Sequence, residues 1–531
     1  MSRGELDVLI IGAGHNGLVC ACYLAAAGLK VRIVERRSVV GGAAVTEEFF
    51  PGFRNSSASY TVSLLDPKII RDLRLVERGL RIVERPFANF LPLPDGRSLK
   101  FGGSAEESAS AVAQFSARDA AALPAYYARL DRAAALAKSW MLRAPPNLGG
   151  PLLVQDWRDA LAAARLLAQL GRLPRESQRD LIDIVTKSAG HWLEATFESE
   201  PLKSVLGWDA VVGNYASPYA PGSAFLLLHF ALGEVNGRPG RWGHAIGGMG
   251  RITGLMADEA QARGVQIDLD VPVERVLVER GHAAGVMIEG GTEIRARAVA
   301  ANVNPKLLYQ RLIERAELPD DFAAAISRYR CGSGSLRINV ALSELPDLAC
   351  QPGTQAQPHH ASGIVFAPSL ACMDRAWRDA QEHGFAGAPI VEMLLPSVVD
   401  DTLAPRGAHV ASLFAQQFRP DADWDRLKGV AVQAIFDVVQ SYCPNFRRAL
   451  LGYRAWSPLD LEREFGLVGG DILHGQMTFD QIFSLRPLIG HARYRGPIEG
   501  LYHCGAGAHP GGGVSGAPGH NAAREIIRDL R

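Results

Sequence analysis

The sequence contains no cysteine pair of the C-x-x-C type, although it has seven cysteines among 531 residues. It therefore lacks the usual dithiol redox motif and the spacing of a zinc site, and we predict no metal. Scattered thiols suit a reducing compartment. Apolar runs as long as a membrane span are also absent, since residues 224–232, among the longest, contain His229.

An excess of either charge is missing as well, because 56 basic residues balance 56 acidic ones. A general nucleic-acid-binding protein would show a basic excess, so we expect no nucleic-acid partner. No signal or transit segment precedes the first predicted strand, and we expect a cytoplasmic protein. The length exceeds that of one hydrophobic core, which predicts two domains or more.

A glycine-rich loop stands between a strand and a helix near the start of the sequence. Residues 8–11 are an apolar run typical of a buried parallel strand, and residues 18–27 have the composition of a helix. The loop between them has the G-x-G-x-x-G pattern and includes Gly12, Gly14, His15, Asn16 and Gly17. Its glycines allow a tight turn, approach of the backbone to a pyrophosphate and close helix packing, so we predict a dinucleotide site.

The continuation of this unit indicates which dinucleotide is bound. A second predicted strand, 30–34, ends at Glu35, whose carboxylate can accept hydrogen bonds from a ribose. Arg36 follows, and then Gly41, Gly42 and Ala43 stand where an NAD domain usually proceeds to its next helix. A Gly-Gly pair here lets a second backbone segment approach the same cofactor, which favours FAD. The alternative is a flexible loop.

Glycine is concentrated a second time near the end of the sequence. Residues 505–521 follow a short predicted strand at 500–504 and precede a helix that continues to residue 531. A strand, a glycine loop and a helix N-terminus form an anion site, and this one can stabilise the negative charge of a reduced flavin. Together with the middle of the chain, this segment adds the predicted cofactor-binding residues Val273, Gly505, Gly507, Val514 and Gly516.

Patterns in the middle of the chain complete the prediction. Residues 271–297 alternate and turn as a three-stranded meander, and 298–302 form a strand that returns to the parallel sheet. A strand pair is expected within 80–93, closed by the turn Asp95-Gly96. A capping box, Ser104 with Glu107, opens a helix that continues to about Arg143. His359 and His360 are expected in an exposed loop rather than at a metal.

A second nucleotide domain is not expected. Gly248-Met249-Gly250 precedes a helix, but the residues before it do not read as a strand. Without a second fingerprint, a separate NAD(P)H domain has no place in the sequence.

A further predicted helix, 152–173, is basic and amphipathic. Arg158, Arg165 and Arg172 recur every seven residues and share one stripe. Apolar surface is supplied by Trp157, Leu161, Leu166, Leu167 and Leu170. Such a helix either rests peripherally on a membrane or packs on the protein with a solvated stripe.

These elements predict an α/β fold in which a Rossmann-type FAD-binding domain is split along the chain. A mixed sheet and helix substrate domain, with α+β insertions, occupies the intervening segments. The predicted FAD-binding parts are 1–100, 241–304 and 491–531. The predicted substrate-domain parts are the helical and loop-rich segment 101–240 and the segment 305–490.

The sequence resembles the phytoene desaturase-like flavoprotein superfamily over almost its whole length. The motifs that carry the resemblance are residues 12–17, 41–47, Asp480-Gln481, Arg486-Pro487 and 505–513. The resemblance implies bound FAD, a two-domain oxidoreductase fold and an apolar substrate cavity. Desaturases of the superfamily commonly carry Arg after the Gly-Gly pair, whereas this chain has Ala43, which argues against plain carotene desaturation.

We therefore predict an FAD-dependent oxidoreductase that takes hydride from a C–H bond of a largely apolar substrate such as a polyene or lipid. The expected electron acceptor is oxygen or a quinone. His509, His229 and His244 are candidates for a catalytic side chain, and a structural role is the alternative for each. A redox-neutral isomerase, a carotenoid ketolase and a flavoprotein that mainly binds another protein remain alternatives, and the sequence predicts no oligomeric state.

Overall fold

The computed structural model describes residues 6–149 and 157–531. Its strands, in chain order, are β1 (Val8–Ile11), β2 (Val31–Val34), β3 (Thr46–Phe50), β4 (Phe53–Ser56), β5 (Ile82–Glu84), β6 (Asn89–Pro92), β7 (Ser98–Phe101), β8 (Glu234–Val235), β9 (Arg238–Pro239), β10 (Gly243–Ala245), β11 (Gln266–Asp268), β12 (Val273–Glu279), β13 (His282–Ile288), β14 (Thr292–Arg295), β15 (Ala298–Ala301), β16 (Ser335–Leu342), β17 (Gly363–Phe366), β18 (Phe385–Leu394), β19 (His409–Phe418), β20 (Leu450–Trp456) and β21 (Leu501–His503).

The helices, in the same order, are α1 (His15–Ala26), α2 (Pro67–Asp72), α3 (Ala105–Ala113), α4 (Ala117–Met141), α5 (Trp157–Arg172), α6 (Arg175–Thr186), α7 (Ala189–Glu194), α8 (Glu200–Val211), α9 (Phe225–Ala231), α10 (Met249–Ala262), α11 (Pro305–Leu307), α12 (Asp320–Arg328), α13 (Leu370–His383), α14 (Trp424–Tyr442), α15 (Phe446–Ala449), α16 (Pro458–Phe465) and α17 (Ala517–Leu530). None of these helices is long and apolar enough to cross a bilayer.

A five-stranded parallel sheet brings distant parts of the chain together. Its strand order is β11-β2-β1-β15-β21, so residues 8–34, 266–301 and 501–503 contribute to one sheet. Side chains alternate along β1: Val8 and Ile10 pack with α1, α10 and α17, whereas Leu9 and Ile11 pack under the β12–β14 meander. Burial on both faces explains why β1 is apolar throughout. This sheet confirms the predicted α/β fold with a split Rossmann-type domain.

A seven-stranded mixed sheet forms the second body of the fold. Its order is β20-β16-β19-β18-β17-β6-β7, and only the β17–β6 pair among these neighbours is parallel. One face carries α14, and the other packs against α4, α8 and α13. The division of the chain into five domain segments stays a prediction. Strands β6 and β7, which we assigned to the first FAD-binding segment, pair in this second sheet.

The structure confirms the meander and the returning strand and corrects four other expectations. Strands β12–β14 pair in order, and β15 lies between β1 and β21. The turn Asp95-Gly96 closes β6 with β7, whereas β5 pairs with β10, so residues 80–93 do not form one strand pair. The capping box at Ser104 is present, but the helix it opens ends at Ala113, since a second cap follows at Ser116.

The other two corrections concern the rejected nucleotide loop and the histidine pair. A short strand, β10, does precede Gly248, yet it pairs antiparallel with β5 and lies outside the parallel sheet. His359 and His360 are both fully buried, with His359 stacked on Phe90 and His360 Nε2 donating to the carbonyl oxygen of Pro346. Stacking on Phe90 and the hydrogen bond to Pro346 stabilise the two histidines in the core. The sequence does not reveal either contact.

Candidate cofactor site

The first glycine loop leaves no room for side chains at three of its positions. Gly12 has φ +94°, and a Cβ there would lie 3.3 Å from the carbonyl oxygen of Asn302. A Cβ at Gly14 would lie 2.8 Å from Asn302 Nδ2, and one at Gly17 would lie 2.3 Å from the carbonyl oxygen of Gly12. The three glycines therefore provide the turn, the exposed backbone and the close helix packing that a dinucleotide loop needs.

Helix α1 begins directly on this loop and presents its N-terminus to the cavity beyond it. Gly14 is the N-cap and supplies no side-chain hydrogen bond to the first turn. The first backbone N–H groups and the positive end of the helix dipole therefore remain for an anion. Asn16 is buried, and its Oδ1 has no hydrogen-bond partner among the described residues. Burial lowers the pKa of His15 to about 4, so that this imidazole is neutral at pH 7.

Glu35 is held in place at the end of β2. Its Oε2 accepts a hydrogen bond from the backbone N–H of Ala13 at 2.8 Å, and its Oε1 accepts from that of Arg37 at 3.0 Å. The side chain is only 6% exposed. Each carboxylate oxygen has a further lone pair, so both can accept from ribose hydroxyls.

The Gly-Gly pair brings a second backbone segment to the first loop. Gly41 forms a parallel bridge with Gly14, and its N–H donates to the carbonyl oxygen of Ala13 at 2.9 Å. Gly41 and Gly42 have φ +120° and +57°, and a Cβ at Gly41 would lie 2.7 Å from the carbonyl oxygen of Ala44. Any larger residue would be strained here, which explains the pair.

A cavity of about 330 Å³ lies between these segments. Ten of the fifteen predicted cofactor-binding residues line it, namely Gly12, Gly14, His15, Asn16, Glu35, Arg36, Gly41, Gly42, Ala43 and Val273. Gly17 lies behind the loop, against Gly12. Gly505, Gly507, Val514 and Gly516 do not line this cavity, although the neighbouring Ala506 does. The donors at α1, the fixed carboxylate and the cradle of glycines together fit a dinucleotide.

Several lining residues escaped the sequence analysis. Asn302 directly follows β15, donates from Nδ2 to the carbonyl oxygen of Gly12 at 3.3 Å and lines the cavity. The sequence could have identified Asn302, because a polar residue that follows a buried parallel strand lies at the carboxyl edge of the sheet, where ligands bind. His474 and Phe465 also line the cavity, although they lie far along the sequence from the first glycine loop. No local sequence pattern identifies them as lining residues. Burial lowers the pKa of His474 to about 3, so it too is neutral.

The C-terminal glycine loop packs against the same unit. A Cβ at Gly519, in the first turn of α17, would lie 2.1 Å from the carbonyl oxygen of Asn16, so α1 and α17 cross in backbone contact near their N-termini. A Cβ at Gly507 would lie 2.4 Å from Pro305, which makes Gly507 a packing position. Gly516 has φ +74° and is the N-cap of α17, while Val514 has φ +56° despite its branched side chain.

Arg486 holds the C-terminal glycine loop in place by hydrogen bonds to backbone carbonyls. Its guanidinium is fully buried and donates to the carbonyl oxygens of Ala506, Leu473 and Gln481 at 2.8, 2.7 and 3.1 Å. All of its hydrogen bonds with described residues go to backbone carbonyls rather than to carboxylates. A permanent positive charge therefore lies beneath residues 505–513 in a dry environment.

The three candidate histidines differ in position. His229 is buried, its Nε2 has no hydrogen-bond partner among the described residues, and it lies 3.4 Å from the Cβ position of Gly513. His509 donates from Nε2 to the carbonyl oxygen of Trp140 at 3.1 Å. Burial lowers the pKa of both to about 4, so both are neutral at pH 7. A catalytic role stays a prediction for each.

His244 is separate from them. Its Nε2 lies 2.8 Å from the carboxylate of Asp400, which also accepts from the backbone N–H of Gly247. Hydrogen bonds and the nearby imidazole outweigh burial and lower the pKa of Asp400 to about 2. This arrangement anchors β10, and the structure does not place His244 beside the glycine loop.

Comparison with known proteins identifies the family. The model of "Flavin containing amine oxidoreductase" matches residues 17–338, which is more than half of the chain. The chain belongs to this family. It is an FAD-dependent oxidoreductase, and the cofactor that its glycine loops predict is confirmed.

The relatives agree with the resemblance seen in the sequence. The chain is 40% identical to the rat (Rattus norvegicus) protein named pyridine nucleotide-disulfide oxidoreductase domain-containing protein 2, over 100% of this chain and 94% of the relative. It is 24% identical to a lycopene-forming phytoene desaturase of Pseudescherichia vulneris, over 98% and 99%. A solved structure of a putrescine oxidase triple mutant matches with a TM-score of 0.59 at 17% identity, covering 99% of this chain and 98% of that one, which shows the shared fold.

Proposed function

We propose that the protein dehydrogenates a largely apolar substrate that binds in a second cavity. The residues that line the first cavity would hold FAD, which would supply the acceptor for a hydride from a C–H bond of the substrate. The protein's own residues bind the substrate, orient it and exclude water. Loss of the hydride leaves a cation that the adjacent double bond stabilises. The proton whose loss completes the dehydrogenation passes to the neutral imidazole of His229 or His509 beside the loop.

The second cavity has a volume of about 440 Å³ and lies within the helical part of the fold. Its walls come mainly from α3, α4, α8 and α9 and are rich in aromatic and aliphatic side chains, including Leu123, Tyr126, Leu130, Leu227, Phe230 and Trp242. A large pocket with mostly apolar walls and few polar groups fits a hydrophobic molecule.

The observation that carries the proposal is an apolar connection between this cavity and the C-terminal glycine loop. Phe230 lines the cavity and also packs with Leu473 and Met477. Cβ positions at Gly512 and Gly511 would lie 2.6 Å from Leu473 and 2.8 Å from Met477. Two layers of apolar side chains, Phe230 and then Leu473 with Met477, therefore connect the cavity to the loop.

The similarity to a phytoene desaturase supports an apolar substrate, since that relative acts on the polyene in its name. For electron transfer out of the flavin, we propose oxygen or a quinone, because the sequence contains only one dinucleotide fingerprint. We expect the holoenzyme to work without NAD(P)H.

Mass spectrometry of molecules that co-purify with the holoenzyme tests the substrate class. We expect an apolar molecule that is lost when Leu227→Arg places a charge in the cavity wall. The matched variant Leu451→Arg changes a leucine that is 48% exposed on β20 and should retain the molecule. A bound polar metabolite, or an apolar one that Leu227→Arg leaves in place, contradicts the proposal.

Amine oxidation is a second candidate, and one side chain favours it. The carboxyl of Asp209 lines the second cavity and makes no hydrogen bond or ion pair with the described residues, so as a carboxylate it can pair with an ammonium group. Turnover of putrescine that disappears in Asp209→Asn would favour this function over dehydrogenation of a hydrocarbon.

A further inference from the structure

The outward face of α5 is apolar along its whole length. Positions spaced three and four apart are all exposed and all uncharged, namely Trp157, Ala160, Leu161, Ala164, Leu167, Ala168 and Gly171. Trp157 is 68% exposed and Leu167 is 67% exposed. The opposite side, with Leu166 and Leu170, is half-buried against the protein. We call these seven residues the α5 apolar face, and a water-exposed helix normally shows polar residues in their place.

Arginines border the α5 apolar face. Arg158, Arg165 and Arg172 are exposed along one edge of α5. The groove between α5 and α17 adds Arg143, Arg493, Arg524 and Arg528, and the one carboxylate among its described lining residues is that of Glu525. No carboxylate of the described residues forms an ion pair with the exposed Arg143, Arg165 or Arg524. The surface therefore has a strong local excess of positive charge although the whole chain is neutral.

Other exposed apolar side chains lie close by in the chain or in space. Of the thirteen large apolar residues that are exposed in the described part of the chain, five fall within residues 148–182, namely Leu148, Trp157, Leu161, Leu167 and Ile182. A sixth, Ile489, is adjacent, because Asn147 Nδ2 donates to the carbonyl oxygen of Gly490 at 2.7 Å. A cluster of exposed apolar side chains indicates a binding surface, whereas single exposed apolar residues are common on protein surfaces.

We propose that the α5 apolar face docks on a membrane surface that contains anionic lipids. An apolar helix face flanked by arginines is the pattern of a helix that lies in the plane of a bilayer interface, where leucine and tryptophan enter the acyl boundary and arginines contact phosphates. A second copy of this chain fits less well, since an antiparallel symmetric contact would bring two arginine rows together and a parallel one would leave both rows without an anionic partner.

The docking face is coupled by direct contacts to the predicted flavin loop. Trp140 Nε1 donates to Gln169 Oε1 of α5 at 2.7 Å, and the carbonyl oxygen of Trp140 accepts from His509. Docking would thus place the reactive end of the enzyme near the bilayer, from which an apolar substrate can be drawn. This last step rests on the proposed function, whereas the docking itself does not.

Sedimentation of the holoenzyme with lipid vesicles tests the docking. We expect it to pellet with vesicles of phosphatidylcholine mixed with phosphatidylglycerol, less so at high salt, and weakly with phosphatidylcholine alone. The double variant Leu161→Glu with Leu167→Glu should lower the apparent association constant by about tenfold or more. The matched control is Val430→Glu on α14, since Val430 is 63% exposed and lies outside the α5 face.

Flavin absorbance per chain shows that each variant is folded. Absence of pelleting with both kinds of vesicle overturns the proposal, and so does pelleting that the double variant does not change. A dimer in sedimentation velocity that the double variant dissociates also overturns it, because a second copy would then cover the face. Failure of the dehydrogenase proposal would leave vesicle binding unchanged, so the two results are distinguishable.

Discussion

At the scale of single residues, Asp209 is the group whose charge state matters most. Burial in the second cavity raises its pKa to about 7, with the carboxylate of Glu392 adding to the shift. The pKa in the unfolded chain is near the ordinary value of 3.8. The folded state is therefore destabilised increasingly as the pH rises from about 4 to about 7, and fully above that.

Asp209→Asn removes the destabilisation that the buried carboxylate causes at high pH. We expect its advantage in Tm over the wild type to be larger at about pH 8 than at about pH 5, measured by differential scanning fluorimetry. Asp131→Asn changes an exposed carboxyl that lines the same cavity and is the matched control. An equal Tm advantage of Asp209→Asn at both pH values would contradict the raised pKa of Asp209.

Gly14 and Gly254 provide a matched pair for the cofactor loop. Neither has a positive φ, but a Cβ at Gly14 would lie 2.8 Å from Asn302 Nδ2, whereas one at Gly254 in α10 meets nothing within 4 Å. We expect Gly14→Ala to weaken FAD binding by about tenfold or more. Gly254→Ala should keep full flavin content and gain slightly in stability, since Ala is the better helix former. Flavin absorbance per chain decides between these outcomes.

Residue chemistry also explains which parts of the site were predictable. Gly12, Gly14, Gly17 and Glu35 perform their roles within one continuous strand-loop-helix-strand unit, so spacing alone revealed them. Asn302 and His474 reach the same cavity from strands and loops hundreds of residues away. Their positions depend on sheet order and on the packing of the second body, which no local pattern encodes.

At the scale of elements, the crossing of α1 and α17 joins the two ends of the chain. A Cβ at Gly519 would lie 2.1 Å from the backbone oxygen of Asn16, and backbone cannot yield as a flexible side chain can. We expect Gly519→Ala to lower the free energy of unfolding by about 1–3 kcal/mol or more, measured by urea denaturation. Gly171→Ala, at a helical position with nothing within 4 Å, should have no such effect.

Among the described residues, Arg486 donates its hydrogen bonds only to backbone carbonyls. Arg486→Lys keeps the charge but loses the planar fork, so that several buried carbonyl oxygens lose their donor, each at about 1–3 kcal/mol. We expect a large fall in Tm and a reduced flavin content, by thermal melting and absorbance. A variant that melts like the wild type would show that the loop is held by packing instead.

Elements with strong local signals were predicted correctly, as the β12–β14 meander shows. The strand-pairing error occurred where long-range pairing decides, whereas the break between α3 and α4 lies at a second local cap, Ser116. Strand β5 has too short an apolar run to specify its partner, and it pairs with β10 more than 150 residues away. For α5, periodicity revealed the arginine stripe but not which side packs on the protein, because that depends on the surface beneath it.

At the scale of the whole molecule, separated segments of the chain together line the candidate cofactor cavity. FAD should therefore stabilise the entire fold rather than one part of it. We expect removal of FAD to lower Tm by several degrees and added FAD to restore it, since a ligand at 100 times its Kd contributes about 2.7 kcal/mol. In Gly14→Ala the same additions of FAD should raise Tm much less. Equal Tm values with and without FAD would contradict a shared site.

The two sheets of the fold lie beside different cavities. The candidate dinucleotide cavity lies beside the parallel sheet and its first glycine loop, while the helical part next to the seven-stranded sheet encloses the second cavity. The sequence predicted the first body from one motif at each end of the chain. The second body has no such motif, so its cavity became visible only in the structure.

Anaerobic reduction of the bound flavin tests the central claim most directly. The holoenzyme is mixed under argon with phytoene and other long apolar polyenes, and in parallel with putrescine, while the flavin absorbance is followed. The account predicts that an apolar polyene bleaches the flavin, that air restores the colour, and that putrescine has no effect. Bleaching by putrescine with no response to any polyene would contradict it.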